Sequence, residues 1–218
     1  MALAIFDLDE TLIAADSDHL WGHFIAKCGL VDEVIHRQQN DEFYAQYQRG
    51  KLNVDAYLKF ACSVLTLHSL KVLHEARDQF MREIISPIIL DKGRQKIAEH
   101  RAKGDYPMII TSTIEFITAP IAQALDIETL IAPVPEFING KYTGRISGVP
   151  SFGAGKVTRL KMWLESNQTP IAGSYFYSDS HNDLPLLRWI DHPIAVDPDE
   201  VLLKEAKEQG WEIISLRD

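Results

Sequence analysis

The sequence predicts an α/β protein with a Rossmann-like, doubly wound and mainly parallel sheet and an inserted helical cap domain. Three observations support this fold class. The apolar run Ala2 to Phe6 leads directly into Asp7, which is typical of a buried parallel strand. From about residue 92 onward, helix and strand patterns alternate. Between these parts, roughly residues 16–86 show helical periodicity without a strand signal.

The helical stretch is marked by apolar residues at helical spacing. They fall into three groups: Leu20, Phe24 and Cys28; Phe43 and Tyr47; and Tyr57, Phe60, Ala61 and Val64. Gly29, Gly50 and Pro87 interrupt the pattern, which favours three or four helices packed on each other. Such a stretch is too long for an ordinary connection between a strand and a helix. We therefore expect residues 16–86 to form the cap domain, and residues 1–15 and 87–218 to form the core domain.

The alternating elements of the core domain follow in order along the chain. The expected helices cover about residues 92–103, 115–125, 156–166, 184–190 and 200–209. The expected strands cover about residues 108–110, 129–132, 175–177, 194–196 and 212–215. Phe137 to Tyr142 is predicted to form a β-hairpin, because Asn139-Gly140 suits a type I′ turn.

Composition and charge narrow the function classes. Hydrophobic residues make up 46% and charged residues 24% of the 218 residues, which predicts an ordered globular chain. The net charge is −9 and no basic run occurs, so we expect no nucleic-acid partner. No apolar stretch reaches the roughly 18–20 residues that span a bilayer, so we expect no membrane association. The two cysteines, Cys28 and Cys62, are expected as small buried side chains in a cytoplasmic protein.

Polar residues follow the predicted strands where ligands bind in such sheets, beyond the carboxyl ends. These residues are Asp7, Asp9, Thr11, Thr111, Ser112, Thr113, Asp179, Asn182 and Asp183, joined by Lys156 at a glycine-flanked helix start. Crowded carboxylates repel each other unless a cation lies among them, and hard oxygen ligands favour Mg²⁺. Hydroxyls, an ammonium group and a helix start suit a phosphate. The combination predicts phosphoryl transfer through an aspartate nucleophile.

These residues resemble the motifs of the haloacid dehalogenase superfamily, in the branch similar to phosphoserine phosphatase. The resemblance covers nearly the whole chain: Asp-x-Asp-x-Thr at 7–11, the hydroxyl of Thr111, Lys156, and Asp-Ser-x-Asn-Asp at 179–183. The helical stretch resembles that family's cap. The resemblance implies a Mg²⁺-dependent phosphomonoester hydrolase that acts on a small phosphorylated metabolite through an aspartyl-phosphate intermediate.

Matching the motifs implies a role for each acidic residue. Asp7 corresponds to the nucleophile, and Asp9 to the general acid and base. Mg²⁺ is assigned to the Asp7 carboxylate, the Asp9 backbone carbonyl and Asp179, with Asp183 as a further metal partner, more remote or bridged by water. The alternatives are that Asp7 and Asp9 are ordinary turn residues, and that Asp183 only caps the following helix.

The resemblance implies that neutral and cationic side chains bind the phosphate of the substrate. Thr111, Ser112, Lys156 and Asn182 correspond to its binding residues. The alternatives are that Thr111 only caps the following helix and that Lys156 is a solvated lysine at a helix start. His181 is expected to be an exposed loop histidine rather than a catalyst.

The start of the helical stretch is expected to select the substrate. In phosphoserine phosphatases an acidic side chain near the position of Asp16 receives the substrate ammonium group, while Ala61 stands where a cap arginine binds the carboxylate. An acidic pocket without that arginine predicts an ester with a neutral or cationic organic part, such as histidinol phosphate. The alternative for Asp16 and Asp18 is a helix N-cap and a first-turn acid. The four tryptophans are expected to be packing residues rather than a stacking platform, with Trp21, beside this pair, as the one to test for stacking.

Two other functions share these motifs. A phosphotransferase would pass the phosphoryl group from the same aspartate to an acceptor hydroxyl. A catalytically idle regulatory module would use the fold to bind a partner, although the intact acidic set and Lys156 disfavour this.

Overall fold

The computed structural model describes residues 2–217. The strands are β1 (Leu3–Phe6), β2 (Tyr106–Ile110), β3 (Thr129–Ile131), β4 (Val134–Ile138), β5 (Lys141–Ser147), β6 (Tyr175–Ser178), β7 (His192–Val196) and β8 (Glu212–Ile214). The helices are α1 (Ser17–Lys27), α2 (Glu33–Gln48), α3 (Val54–Ser63), α4 (Leu70–Phe80), α5 (Asp91–Ala102), α6 (Glu115–Ala124), α7 (Ala154–Asn167), α8 (Leu184–Leu187) and α9 (Glu200–Gln209). Every expected strand and helix of the core is found, with ends shifted by a few residues.

Six strands form a parallel sheet in the order β3-β2-β1-β6-β7-β8. The chain builds outward from β1 to β3 and then returns to the other side of β1 with β6. The strand order therefore reverses between β1 and β6, and a ligand binds at such a switch point in doubly wound sheets. This arrangement confirms the predicted fold class.

Strand β1 is buried on both faces, as its apolar sequence predicts. Ala4 and Phe6 pack into one hydrophobic core with the helices that precede β2 and with α6. Leu3 and Ile5 point to the opposite face and pack with α7 and α9. Alternate side chains of one strand thus anchor two cores, which holds the carboxyl end of β1 in a fixed position.

Between β1 and β2 the chain is helical, as expected. Helices α1 to α4 are followed by short helical turns at Met81–Ile85 and Ser86–Ile88. Helix α1 lies close to α2 because Gly22 has no side chain, and a Cβ there would overlap Asn40. We call residues 16–86 the helical insertion; its standing as a separate domain stays a prediction.

The hairpin of β4 and β5 is antiparallel and separate from the main sheet. Strand β5 packs against α3, so the hairpin contacts the helical insertion. Its turn contains Asn139 and Gly140, both with positive φ, as the sequence predicts. The predicted hairpin is therefore present, with strands longer than expected.

Two expectations about the helices and cysteines need correction. The helix expected over 184–190 ends at Leu187, where the backbone turns at Arg188. Cys62 is fully buried, but Cys28 is exposed because it caps the end of α1, ahead of Gly29 with positive φ.

Within residues 2–217, no individual helix combines the length and the apolar composition of a membrane span. Val54–Thr66 and Leu70–Ile88 reach both only together, and the chain bends by 113° between them.

Candidate active site

Asp7 and Asp179 lie at the switch point of the sheet. Asp7 follows β1, and its backbone N–H donates to the carbonyl of Tyr177 at 2.8 Å, which continues the pairing of β1 with β6. Asp179 follows β6 directly. Two acids that are 172 positions apart in the chain are thereby brought to one edge of the sheet, as the motif order predicts.

Lys156 is buried between two of the predicted acidic residues. Its Nζ donates to Asp7 Oδ1 at 2.9 Å and to Asp183 Oδ2 at 2.7 Å. Burial alone would lower the pKa of Lys156, but the charges of Asp183 and Asp7 raise it above its ordinary value. Lys156 is therefore a fixed cation beside the proposed nucleophile, and the alternative of a solvated helix-start lysine does not fit its 1% exposure.

The start of α7 is shaped to deliver Lys156 to this position. Gly153 precedes the helix with φ of +52°, in the left-handed region that favours glycine. A Cβ at Gly155 would overlap the carbonyl oxygen of Pro150. The two glycines thus allow the chain to turn into α7 in close contact with the backbone at Pro150.

Asp183 is tied to Lys156 rather than to the helix that it precedes. Its Oδ2 accepts hydrogen bonds from Lys156 Nζ and, at 2.7 Å, from Ser178 Oγ. It occupies the N-cap position of α8 but makes no side-chain capping bond. The structure therefore places Asp183 as the anchor of the lysine.

Burial raises the pKa of Asp7 to about 7, with Lys156 acting in the opposite direction. Desolvation and the charge of Asp7 raise the pKa of Asp179 well above its ordinary value. Asp179 Oδ1 accepts a hydrogen bond from Thr11 Oγ1 at 3.0 Å. The charge of Asp183 raises the pKa of both other acids, so the three lie close together, but of these Lys156 contacts only Asp7 and Asp183. This excess of negative charge fits a divalent cation with oxygen ligands.

Asp9 is held by both of its carboxylate oxygens. Oδ1 accepts from the backbone N–H of Ser17 at 2.6 Å, and Oδ2 accepts from Thr113 Oγ1 at 2.8 Å. Desolvation and the charge of Asp16 raise the pKa of Asp9 to about 7, while its hydrogen bonds act in the opposite direction. An acid with a pKa near neutrality can both give and take a proton at physiological pH.

Thr111 and Ser112 line the same pocket as Asp7 and Asp9. Thr111 Oγ1 accepts from the backbone N–H of Thr113 at 3.2 Å, and Ser112 Oγ donates to the carbonyl of Ser151 at 3.1 Å. Helix α6 has no side-chain cap, so the capping alternative for Thr111 does not describe the structure.

Asn182 lies outside this pocket, at a contact between the core and the helical insertion. Its Nδ2 donates to the backbone carbonyl of Tyr47 in α2 at 3.2 Å. The neighbouring His181 is half-buried and its Nδ1 lies 2.7 Å from Asp199 Oδ2. Both residues therefore connect elements around the site, and His181 has a structural partner.

Asp16 combines the two roles that the sequence left open. Its Oδ1 accepts from the backbone N–H of His19 at 2.7 Å and so caps α1, yet Asp16 also lines the pocket. Asp18 lines it as well, and Tyr57 donates a hydrogen bond to Asp18. Desolvation raises the pKa of each acid to about 7.

The pocket has an acidic and aromatic lining. Its walls are formed by Asp7, Asp9, Asp16, Asp18, His19, Asn40, Phe43, Tyr44, Tyr47, Leu52, Tyr57, Thr111, Ser112 and Thr113. Within residues 2–217, no lysine or arginine lines it. Trp21, expected as a stacking candidate, is absent from the lining; it is buried against Phe24, Phe80 and Phe116 in the apolar core.

A family model described as haloacid dehalogenase-like hydrolase matches residues 4–188, which contain every motif discussed above. The chain belongs to this family. This haloacid dehalogenase-like hydrolase is also similar to the histidinol-phosphatase of Neisseria meningitidis serogroup C, with 44% identity over 99% of each chain. It is a phosphatase, which removes the alternative of an idle binding module.

Two solved structures resemble the hydrolase in fold. A Bordetella pertussis protein of unknown function shares 41% identity at a TM-score of 0.93, covering 99% of this chain and 98% of that one. A phosphoserine phosphatase solved as a phospho-aspartyl intermediate analogue shares 17% identity at a TM-score of 0.71, covering 99% and 93%. The second likeness shows the fold alone.

Sequence reasoning missed several residues of this hydrolase that shape the pocket. Tyr44, Tyr47 and Tyr57 all face it from the helical insertion. Helical periodicity places Tyr47 and Tyr57 on the apolar faces of their helices. That pattern predicts that the two side chains are buried, but it does not predict that they line a pocket. Thr113 was expected among the polar residues that follow β2, but its hydrogen bond to Asp9 was not predicted.

Proposed function

We propose that this phosphatase hydrolyses a phosphate monoester with a cationic organic part, through an aspartyl phosphate on Asp7, and that histidinol phosphate is its first candidate substrate. One observation carries the proposal. The pocket that opens onto Asp7 is lined by Asp16 and Asp18, and no lysine or arginine of the described residues lines it. A negatively charged organic group would be repelled there by the ionised aspartates and would find no lysine or arginine of the described residues to pair with.

The Neisseria relative supports the same substrate class. That protein is named a histidinol-phosphatase, and the 44% identity extends over essentially both whole chains. Histidinol phosphate carries an amine and an imidazole, and both groups match carboxylates and aromatic rings. The relative and the pocket therefore support the proposal independently.

The first half of the proposed reaction uses Asp7 and Asp9. A carboxylate oxygen of Asp7 attacks phosphorus, the ester P–O bond breaks, and Asp9 protonates the leaving alkoxide oxygen. Lys156, bonded to Asp7 Oδ1, offsets the repulsion between the carboxylate and the phosphate. The free alcohol and an aspartyl phosphate result.

The second half regenerates the enzyme. Asp9, now ionised, takes a proton from water, and the water oxygen attacks phosphorus. The bond between phosphorus and the Asp7 oxygen breaks, which releases inorganic phosphate and restores the carboxylate. The raised pKa of Asp9, about 7, suits a group that must act as acid and then as base.

The acidic excess at the sheet edge fits Mg²⁺ in this mechanism. Asp7, Asp179 and the backbone carbonyl of Asp9 would hold the ion, and Thr11 fixes Asp179 by a hydrogen bond. When bound, the ion supplies positive charge that neutralises the phosphate oxygens. Asp183 is already engaged by Lys156 and Ser178, so we propose that it acts through the lysine.

Substrate selection would depend on the helical insertion. Asp16 and Asp18 line the pocket, where their carboxylates can accept hydrogen bonds from an ammonium or imidazolium group. Phe43 and Tyr44 line the same pocket and can pack against a flat ring. We further propose that the enzyme works in the cytoplasm, on the sequence grounds given above.

A substrate comparison tests the proposal. We expect kcat/KM for histidinol phosphate to exceed that for phosphoserine by at least about tenfold, which corresponds to ~1.4 kcal/mol. Asp16→Asn keeps a capping side chain but removes the charge, so it should lower kcat/KM for histidinol phosphate by a much larger factor than for a neutral alkyl phosphate. The neutral ester should respond only through the pKa of Asp9, which the charge of Asp16 raises. Equal turnover of phosphoserine, or equal losses on the neutral ester, would contradict the assignment of the pocket.

A further inference from the structure

Two histidines and an aspartate form a compact cluster where helices α1 and α2 of the helical insertion meet. His19 and His23 are one turn apart on α1, and Asp41 comes from α2. The Nε2 atoms of both histidines lie 2.8 Å from Asp41 Oδ1 and 3.1 Å from each other. Three donor atoms of the types that bind transition metals thus converge on one point.

The cluster is held by rigid contacts rather than by its own hydrogen bonds alone. Asn40 Nδ2 donates to the backbone carbonyl of His19 at 2.9 Å, and the absent side chain of Gly22 lets α1 and α2 approach. The ring of His19 stacks on Tyr44 with centroids 4.2 Å apart. The ring and the backbone of His19 are therefore fixed before any ion binds, so that less conformational entropy is lost on binding.

The donor set and its spacing suit Zn²⁺. Imidazole nitrogen and carboxylate oxygen are ordinary zinc ligands, and tetrahedral bonds of about 2.0 Å place donor atoms roughly 3.3 Å apart. The observed separations need to widen by only a few tenths of an ångström. The side chains of His19 and His23 are 24% and 32% exposed, and that of Asp41 57%, so water can reach a fourth position.

We propose that His19, His23 and Asp41 bind one Zn²⁺ ion, with water as the fourth ligand, at a site separate from the catalytic Mg²⁺ site. Its imidazole ligands distinguish it from the all-oxygen set at the sheet edge. His23 and Asp41 do not line the catalytic pocket, whereas His19 does. A bound ion would tie α1 to α2 and fix the pocket wall at His19.

The rival interpretation is a hydrogen-bond cluster only. In that case both histidines donate from Nε2 to Asp41 Oδ1, and no ion is needed. The hydrogen bond from His19 already lowers the pKa of Asp41, so its carboxylate is anionic and available to either arrangement. The two interpretations differ in whether zinc is bound.

Zinc binding to the full-length, untagged protein tests the proposal. Zn²⁺ would be titrated against a chromophoric chelator in excess Mg²⁺, which occupies the oxygen ligands at the sheet edge. We expect one Zn²⁺ per chain, with affinity lowered at least about tenfold in His23→Gln and in Asp41→Asn. His192→Gln, an exposed histidine outside the cluster, is the matched control and should bind like wild type.

A second probe guards against variants that fail to fold. Co²⁺ bound to the wild-type protein should show ligand-field absorption typical of tetrahedral nitrogen and oxygen ligands, and one equivalent of Zn²⁺ should abolish it. Absence of Zn²⁺ binding in excess Mg²⁺, or unchanged affinity in both cluster variants, would overturn the proposal and leave the hydrogen-bond cluster.

Discussion

The two sides of the catalytic pocket handle negative charge differently. At the sheet edge, Asp7 and Asp183 share the buried cation of Lys156. On the helical side, Asp16 and Asp18 are satisfied by a backbone N–H and a tyrosine hydroxyl, without a cation. The sheet edge thus pairs its carboxylates with a cation, while the carboxyl groups of the helical side have only neutral hydrogen-bond donors as partners.

The difference suggests that one side of the pocket carries out the reaction and the other selects the substrate. The groups proposed to act on phosphorus lie on the ends of buried strands and on the first turn of α7, where packing fixes them. The groups proposed to select the organic part lie on helices of the insertion. Changes at the sheet edge should therefore abolish turnover of every ester, whereas changes on the helical side should depend on the ester.

The largest expected effect comes from the nucleophile. Asp7→Asn preserves shape but removes the attacking charge, so kcat should fall by at least about 10⁴-fold for all esters. Asp191→Asn, an exposed aspartate that accepts a hydrogen bond from Gly173, is the matched control and should retain activity. Steady-state phosphate release measures both. Asp7→Asn activity near that of wild type would refute the nucleophile assignment.

The next effect concerns the shared cation. Lys156→Met leaves buried carboxylates unpaired, so the free energy of unfolding should drop by about 3–5 kcal/mol in metal-free protein. Lys161→Met, at an exposed position on the same helix, should change it little. Denaturant unfolding of both variants provides the measurement. A loss below about 1 kcal/mol in Lys156→Met would show that the acids do not depend on this lysine.

The third effect is the pH dependence of stability without divalent metal. The pKa values of Asp9, Asp16 and Asp18 are each raised from 3.8 to about 7 in the fold. The folded state therefore binds more protons than the unfolded state between these values. The stability that these groups contribute is complete below about pH 4 and is lost as pH rises through 7.

The measurement compares wild type with the double variant Asp16→Asn, Asp18→Asn in EDTA from pH 5 to pH 8. The wild-type Tm should fall more over this range, by at least about 2 °C relative to the double variant. If Tm changed with pH to the same extent in both proteins, Asp16 and Asp18 would not have raised pKa values in the fold.

The smallest effect separates the two roles of Asp16. Asp16→Ala loses the cap of α1 and should cost about 1 kcal/mol of unfolding free energy relative to Asp16→Asn, which can still cap. Both variants should lose activity on a cationic ester to a similar degree, because both lack the charge. Denaturant unfolding and kcat/KM together provide the test. Activity that follows the cap instead of the charge would assign Asp16 a structural role only.

The sequence predicted the sheet edge better than the helical side, for a physical reason. Asp7, Asp179 and Lys156 follow strands or begin a helix, and parallel strands bring their carboxyl ends together whatever the details of packing. The hydrogen bond of Tyr57 to Asp18 depends on how α3 packs against α1, which periodicity does not specify. The same holds for the bond between Asn182 and Tyr47.

Trp21 shows that a position close to Asp16 in the sequence does not by itself place a side chain in the pocket. It lies five residues after Asp16, but the helix rotates its side chain away from the pocket and into the apolar core with Phe80 and Phe116. Proximity in sequence made Trp21 the tryptophan to test for stacking, and its position on the helix places it in the core, as expected for the other tryptophans.

Covalent trapping tests the central claim most directly. Enzyme mixed with histidinol phosphate and Mg²⁺, then quenched in acid within a turnover, should carry a phosphoryl group on the peptide that contains Asp7. Asp9→Asn should lengthen the lifetime of this species, because the group that activates water is lost. Full turnover with no phosphoryl group on Asp7, in wild type and in Asp9→Asn, would contradict the account.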